Sequence, residues 1–335
     1  MSNNDVLAKN LDLVSIGDLM IDFTCLGKSD SGMLLYERNP GGAPMNVAAQ
    51  LSRLGGRAAA VASVGADEHG EYLRDTMESL GVDVANISFC RNQGTRLLFV
   101  YFKDGNDRYF TDYRGTRADL ELSVDTVDYG QIERTKVLLF SPLCNIYEKP
   151  IFKATRRAME VAEQNGVLLA FDPNYRFPYE DDKLRQFDVD AIKNAHILKM
   201  TSEEFSYYLN EDDVMRGTER LLAGNARIVA VSMGKDGSFL RNRNGYAHRP
   251  AYRVDAVDTT GAGDSFMGSL LFQLTRTGVD IDALTTDELG RIADFANACA
   301  GASTTRRGSL LVMPDREEAL RVMETMPKSG VVSLV

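Results

Sequence analysis

Short apolar runs alternate along this chain with longer stretches whose apolar residues recur at helical spacing, the pattern of repeated βα units. Leu11 to Ile16 predicts a first buried strand, closed by Gly17 and followed by Asp18. A second apolar piece carries Asp22, Phe23 and Thr24. After a polar stretch, Gly41 and Gly42 lead into a predicted helix from Val47 to Leu54, with Pro44 in its first turn and Gly55-Gly56 beyond its end. Ala59 to Gly65 predicts the next strand, and Glu71 to Leu80 the next helix. From Val137 the rhythm is regular. Strands are expected at Val137–Phe140, Val167–Asp172, Ile197–Met200 and Arg227–Ser232. Helices are expected near 149–165, 183–195, from Ser202, and at 212–223, 263–277, 287–303 and 315–326.

One segment breaks this rhythm. Arg96–Phe102 and Arg108–Tyr113, joined through Asp104-Gly105, predict a β-hairpin rich in aromatic residues. Paired with residues 22–38 it forms a small separate sheet, a lid drawn from about 22–38 and 95–113; an edge hairpin of the main sheet is the alternative. No repeat or linker divides the chain. The expected fold class is α/β: one domain over 1–335, a mostly parallel central sheet with helices on both faces, and a small β lid.

Composition narrows the function classes. A chain of 335 residues, 44% hydrophobic and 26% charged, is ordinary for a folded globular protein. Its net charge of −10 argues against nucleic acid or an anionic membrane as partner. The 4 cysteines and 3 histidines are scattered, so a zinc centre or a Ser/His/Asp mechanism is poorly supported. No signal-like or membrane-spanning run is present, and the expected location is cytoplasmic.

Candidate chemistry centres on Asp258-Thr259-Thr260-Gly261-Ala262-Gly263-Asp264. The run Tyr252–Val257 before it alternates like a strand end, and the apolar residues from Phe266 onward follow helical spacing. A small-residue turn opening a helix attracts an anion through free backbone N–H groups and the positive dipole end. Asp264 beside that anion is placed to accept a proton from an attacking hydroxyl, although an Asp in a helix's first turn is also a common cap. Other polar clusters fall at strand ends, where ligands bind in such sheets. They are Asp18 with Asp22, Asp172-Pro173-Asn174-Tyr175-Arg176, Thr201 to Glu204, and Ser232 to Gly237. Carboxylates near a strand end and Asn at a helix start suit vicinal hydroxyls. Gly234 and Gly237 suit backbone contact with phosphate, and Glu204 suits a divalent ion, directly or through water. Each cluster also has an ordinary structural reading as a turn or helix start.

The glycine patterns of P-loop nucleotidases and of nicotinamide dehydrogenases are both absent. Instead, Gly41-Gly42-Ala43-Pro44-Met45-Asn46-Val47-Ala48 and Asp258 through Phe266 match the two motifs of the ribokinase-like carbohydrate kinases, the PfkB family, which the chain resembles over nearly its whole length. The resemblance implies a ribokinase-like three-layer sandwich with a lid that often dimerises. It implies Asp264 as catalytic base and Gly261, Ala262 and Gly263 as the anion hole. It places Asp22, Gly41, Gly42 and Asn46, with Asp18 and Arg176, against the sugar. Ser232, Gly234, Gly237 and Asn297 fall to the nucleotide, Glu204 to magnesium, and Asp258 and Thr260 to a monovalent cation such as K+. The family's Asn-x-x-Glu motif stands here as Thr201-Ser202-Glu203-Glu204, so Thr201 replaces the Asn beside the phosphates.

Phe171–Arg176 and Tyr113-Arg114 with Ala118-Asp119-Leu120 look most like fructokinases. The expectation is therefore an ATP- and Mg2+-dependent sugar kinase acting on a primary hydroxyl, with the 6-hydroxyl of fructose first. A 2-keto-3-deoxygluconate kinase is the rival, in which Arg114 and Arg176 would hold a carboxylate. A non-catalytic sugar- or nucleotide-binding regulator is the alternative of a different class. The partners implied are small molecules and a second copy of the chain through the lid.

Overall fold

Within β1 (Leu11–Ile16) the side chains divide by the two-residue period of a strand: Leu13 enters the apolar cluster on one face of the sheet, Val14 and Ile16 the cluster on the other. A strand buried on both faces needs helices on both, and the chain supplies them. The structure, a computed structural model, describes residues 9–103, 107–113, 116–175 and 182–330.

The strands follow in order: β2 (Met20–Lys28), β3 (Leu34–Gly41), β4 (Ala58–Gly65), β5 (Asp83–Cys90), β6 (Leu97–Lys103), β7 (Asp107–Asp112), β8 (Thr135–Phe140), β9 (Leu168–Phe171), β10 (Ile197–Thr201), β11 (Ile228–Ser232), β12 (Ser238–Asn242) and β13 (Tyr246–Arg249). The helices are α1 (Ala43–Arg53), α2 (Glu68–Ser79), α3 (Tyr129–Glu133), α4 (Pro150–Gln164), α5 (Asp182–Asn194), α6 (Ser202–Leu209), α7 (Val214–Leu222), α8 (Ala262–Leu274), α9 (Thr286–Ser303) and α10 (Arg316–Thr325).

Nine strands form the large sheet in the order β13-β12-β11-β10-β9-β8-β1-β4-β5. It is parallel from β5 to β11, and β12 and β13 are antiparallel at its edge. Helices α1, α2, α8 and α9 cover one face, and α4 to α7 the other. A second sheet, β3-β2-β6-β7, holds the expected hairpin: β6 and β7 are antiparallel, and β2 joins β6 in parallel. The pairing is with residues 22–38, not with the edge of the main sheet. Its root is tied down by Asp67, the N-cap of α2, which accepts from Gly70 N–H at 2.9 Å, Thr95 N–H at 2.8 Å and Thr95 Oγ1 at 2.7 Å.

One segment differs from the sequence expectation, and one polar cluster takes its ordinary structural reading as a turn. Tyr252–Val257 is not a strand end; only Tyr252 makes a bridge, to Lys328. The Val257 and Asp258 N–H groups turn to Thr304 O at 2.8 and 3.0 Å instead, so the backbone leaves any sheet before the glycine turn. The turn at Gly234–Asp236 serves as a hairpin, reversing the chain from β11 into β12. No helix among the described residues is long and apolar enough to cross a membrane.

Candidate active site

The large sheet reverses its strand order between β8 and β1, whose carboxyl ends therefore open a crevice. Asp18 follows β1 there, and its Oδ1 accepts from Ser141 Oγ, after β8, at 3.3 Å. The chain then passes through β2 and β3 and returns at Gly41-Gly42. Gly42 has φ 122°, and a methyl group on it would lie 2.1 Å from Asp18 O, so the turn is built for glycine. A methyl on Gly41 would lie 3.1 Å from Asp22 Oδ2, which places that carboxylate at the same turn. One turn into α1, buried Asn46 points its amide at the partner motif: Nδ2 donates to Asp264 Oδ2 at 2.8 Å.

Asp264 lies in the first turn of α8, whose N-cap is Gly261 in the left-handed region at φ 77°. No side chain caps this helix, whose Ala262 N–H turns back to Thr259 O at 3.3 Å, and a helix start without a side-chain cap is a place where an anion can bind. Asp264 is 4% exposed and shares a pocket with Pro44, Phe140, Ser141, Asp172 and Asn174. Asn46 Oδ1 is buried without a hydrogen-bond partner, an acceptor waiting beside that carboxylate. Of the sugar-side candidates, Asp22 lies against Gly41 and Asp18 against Gly42, and Asn46, one turn on, joins this group to Asp264 of the second glycine turn. Arg114 and Arg176 lie outside the described residues.

The expected nucleotide positions gather along β11 and its surroundings. Ser232 ends β11 opposite Thr201 on one side and Ser238 on the other. A methyl on Gly237 would lie 2.0 Å from Arg249 O, and Asn297 of α9 donates to Arg249 O and Pro250 O at 3.0 and 3.3 Å. Gly237 and Asn297 therefore border the same backbone segment. Gly234, exposed at the β11–β12 turn, faces outward from it.

Thr201 and Glu204 cap α6 reciprocally. Thr201 Oγ1 accepts from Glu204 N–H at 3.3 Å, and Glu204 Oε2 accepts from Thr201 N–H at 2.7 Å. Glu204 Oε1 also accepts from Tyr175 N–H at 2.7 Å. Burial, with Asp172 nearby, pushes the Glu204 carboxyl up, against the pull of Lys199. Both oxygens are engaged, and no cluster of three metal-binding side chains occurs among the described residues. This donor set fits a magnesium ion carried mainly by phosphate and water, with Glu204 behind a water molecule, rather than a protein cage. Asp258 closes a tight turn, accepting from Thr260 N–H at 2.9 Å, Thr260 Oγ1 at 2.7 Å and Gly308 N–H at 3.3 Å.

Sequence reasoning missed Lys199. It lies in the apolar strand β10, 4% exposed, with Nζ 2.9 Å from Asp172 Oδ2. Burial lowers the ammonium, but Asp172, Glu204 and Asp264 together raise it above the usual lysine value. The signal was a lone charge between buried Leu198 and Met200. Ser309 was missed as well: its Oγ donates to Pro40 O at 3.3 Å, and its Cβ lies 3.1 Å from a methyl placed on Gly261, so one residue spaces the two glycine turns.

Comparison with known proteins gives the family and the fold. The model of the pfkB family carbohydrate kinases matches residues 10–316. Probable fructokinase-3 from Arabidopsis thaliana is 36% identical, over 94% of this chain and 92% of its own length. Fructokinase-1 from Zea mays is 34% identical, over 93% of this chain and 97% of its own. The crystal structure of fructokinase with bound ATP from Xylella fastidiosa superposes with a TM-score of 0.83 at 26% identity, covering 93% of this chain and 98% of that one. With both glycine motifs meeting at one carboxylate and the family model matching almost end to end, the chain belongs to the pfkB family of carbohydrate kinases.

Proposed function

We propose that this protein is an ATP-dependent fructokinase that transfers the γ-phosphoryl group to the 6-hydroxyl of fructose. The observation that carries the reading is the Asn46–Asp264 contact at the uncapped start of α8, which puts a carboxylate, a sugar-side amide and an anion-binding helix end at one point. Full-length relatives named as fructokinases support the choice of sugar.

In this reading Asp18, Asp22, Asn46 and the Gly41-Gly42 backbone hold the sugar hydroxyls. The backbone of Gly261, Ala262 and Gly263 at the start of α8 holds the transferring phosphoryl group, which takes Ala262 N–H from its long bond to Thr259 O. Asp264 takes the hydroxyl proton as the new O–P bond forms and the bond to the departing ADP oxygen breaks. Catalysis of this kind is positioning and charge stabilisation, and a late proton transfer suits a carboxylate base. Ser232, Gly234, Gly237 and Asn297 border the nucleotide. Glu204, through water, and Thr201 would border a magnesium ion, which when bound would supply charge neutralisation to the phosphates. A monovalent cation such as K+ belongs beside Asp258 and Thr260.

The small sheet acts as the lid, excluding water from the transferring group. The far end of its β2–β3 pair exposes Leu26, Met33, Leu34 and Leu35, an apolar end suited to a second copy. The four free cysteines suit the reducing cytoplasm.

The test is a coupled ADP-release assay with MgATP against fructose, 2-keto-3-deoxygluconate, ribose, tagatose and a nucleoside. Strong turnover with fructose alone is expected. Preference for the keto-acid would replace fructose and give Arg114 and Arg176 a carboxylate to hold. Absence of sugar-dependent turnover would replace the kinase with a binding protein.

A further inference from the structure

The strand period places Lys199 on the same face of the sheet as Ile197, the face covered by α1 and α8. There an apolar side chain would fill the space, as Ile197 does. A lysine stands in it instead, with Nζ 2.9 Å from Asp172 Oδ2. A methyl on Gly263 would lie 3.0 Å from the same Nζ, so the ammonium sits directly beneath the backbone that opens α8. Asp172 and Asp264 line one pocket, and the buried Lys199 ammonium lies against the first carboxylate and beneath the turn that carries the second. Stability does not explain the arrangement, because burying an ion pair costs about as much as its attraction returns. Function does: a pocket lined by carboxylates repels a polyphosphate unless a fixed positive charge lies behind it.

We propose that Lys199 is a positioning residue that fixes the first turn of α8 and supplies the countercharge admitting the terminal phosphate of ATP, with Asp172 holding part of that charge back. The proposal rests on the kinase reading and deepens it. Its particular content is one of sign. Removing Lys199 weakens the binding of the terminal phosphate; neutralising Asp172 strengthens it, because the lysine's field is then uncompensated.

The test is calorimetric titration of the full-length protein with MgATP and with MgADP, without sugar, for wild type, Lys199→Met, Asp172→Asn and the double variant. In Lys199→Met, ATP affinity is expected to fall roughly tenfold or more, as for loss of a charge-assisted contact, and ADP affinity far less. In Asp172→Asn the ratio of ATP to ADP affinity is expected to rise, and in the double variant to return toward that of Lys199→Met. Turnover of Lys199→Met is expected to fall while KM for the sugar stays near wild type. Equal loss of ATP and ADP binding in both single variants, with lowered melting temperatures, would overturn the proposal and leave the pair as a support only. If Lys199→Met does not fold, Asp172→Asn decides alone, and an unchanged affinity ratio there is the overturning result. A wild-type protein that binds neither nucleotide would sink the kinase reading; one that binds both normally confines any failure to Lys199.

Discussion

Asn46 and Asp264 are 218 residues apart in sequence and joined by one buried hydrogen bond of 2.8 Å. A second bond runs beside it between the same two helices, from Ser265 Oγ to Gln50 Oε1 at 2.8 Å, and Gln50 Nε2 is itself fixed on Pro314 O at 3.0 Å. A methyl on Gly268 would meet Val47 O at 2.7 Å, so α1 and α8 run almost backbone to backbone. The two motifs form one rigid edge.

Asp264→Asn retains the shape and removes the proton acceptor. Turnover is expected to fall by roughly 10²–10⁴, the range of a positioned general base, with both KM values within about threefold of wild type. Steady-state kinetics with MgATP and the preferred sugar measures it; near-normal turnover would sink the assignment.

Asn46→Asp sets a second carboxylate where an amide now donates to Asp264. Like charges at hydrogen-bond distance disfavour joint ionisation, so the pair holds a proton to higher pH than Asp264 alone. The base must be ionised to act, so the acid limb of the turnover–pH profile moves to higher pH. An unmoved limb would mean that Asp264 is not the titrating base.

Gly42→Ala forces a side chain into the left-handed region and against Asp18 O. A loss of about 1–3 kcal/mol from the strained backbone alone is expected in urea unfolding, with a further loss of sugar affinity because Asp18 must move. A variant as stable and active as wild type would show that the turn is slack.

Asp67→Ala removes the N-cap of α2 and the anchor of Thr95. The expected cost near neutral pH is about 1–2 kcal/mol. Burial raises the Asp67 carboxyl, but the bonds from Thr95 and Gly70 outweigh it and hold the group below its ordinary value of 3.8. A depressed folded value means that the stabilisation is complete above the unfolded value and disappears as pH falls through the folded one. The gap in stability between wild type and variant is therefore expected to close below about pH 4. A gap constant from pH 7 to pH 2.5 would contradict this.

Elements with a strong period declared themselves in sequence. The runs at β1, β4 and β8 to β11 are apolar enough to be buried on both faces, and α2, α6 and α7 between them open on the capping side chains Asp67, Thr201 and Asp213. β5 did not, because its burial alternates irregularly and its polar residues face solvent. β12 follows β11 through a turn rather than a helix, so its direction depends on tertiary pairing. The glycine turns were visible because their residue types admit few alternatives. Lys199 and Ser309 were not: a single lysine or serine has meaning only through what the fold brings against it, here Asp172 and the two turns.

Asp22 and Gly41 belong to strands of the small sheet, whereas Asp264 begins a helix of the large body. In the proposed reading, part of the choice of acceptor is therefore written on a different piece of the chain from the transfer of the phosphoryl group. On that reading, substitutions in β2 and β3 are expected to shift the sugar while the donor-handling edge stays intact, a division by which one scaffold diversifies its substrates without reinventing its chemistry.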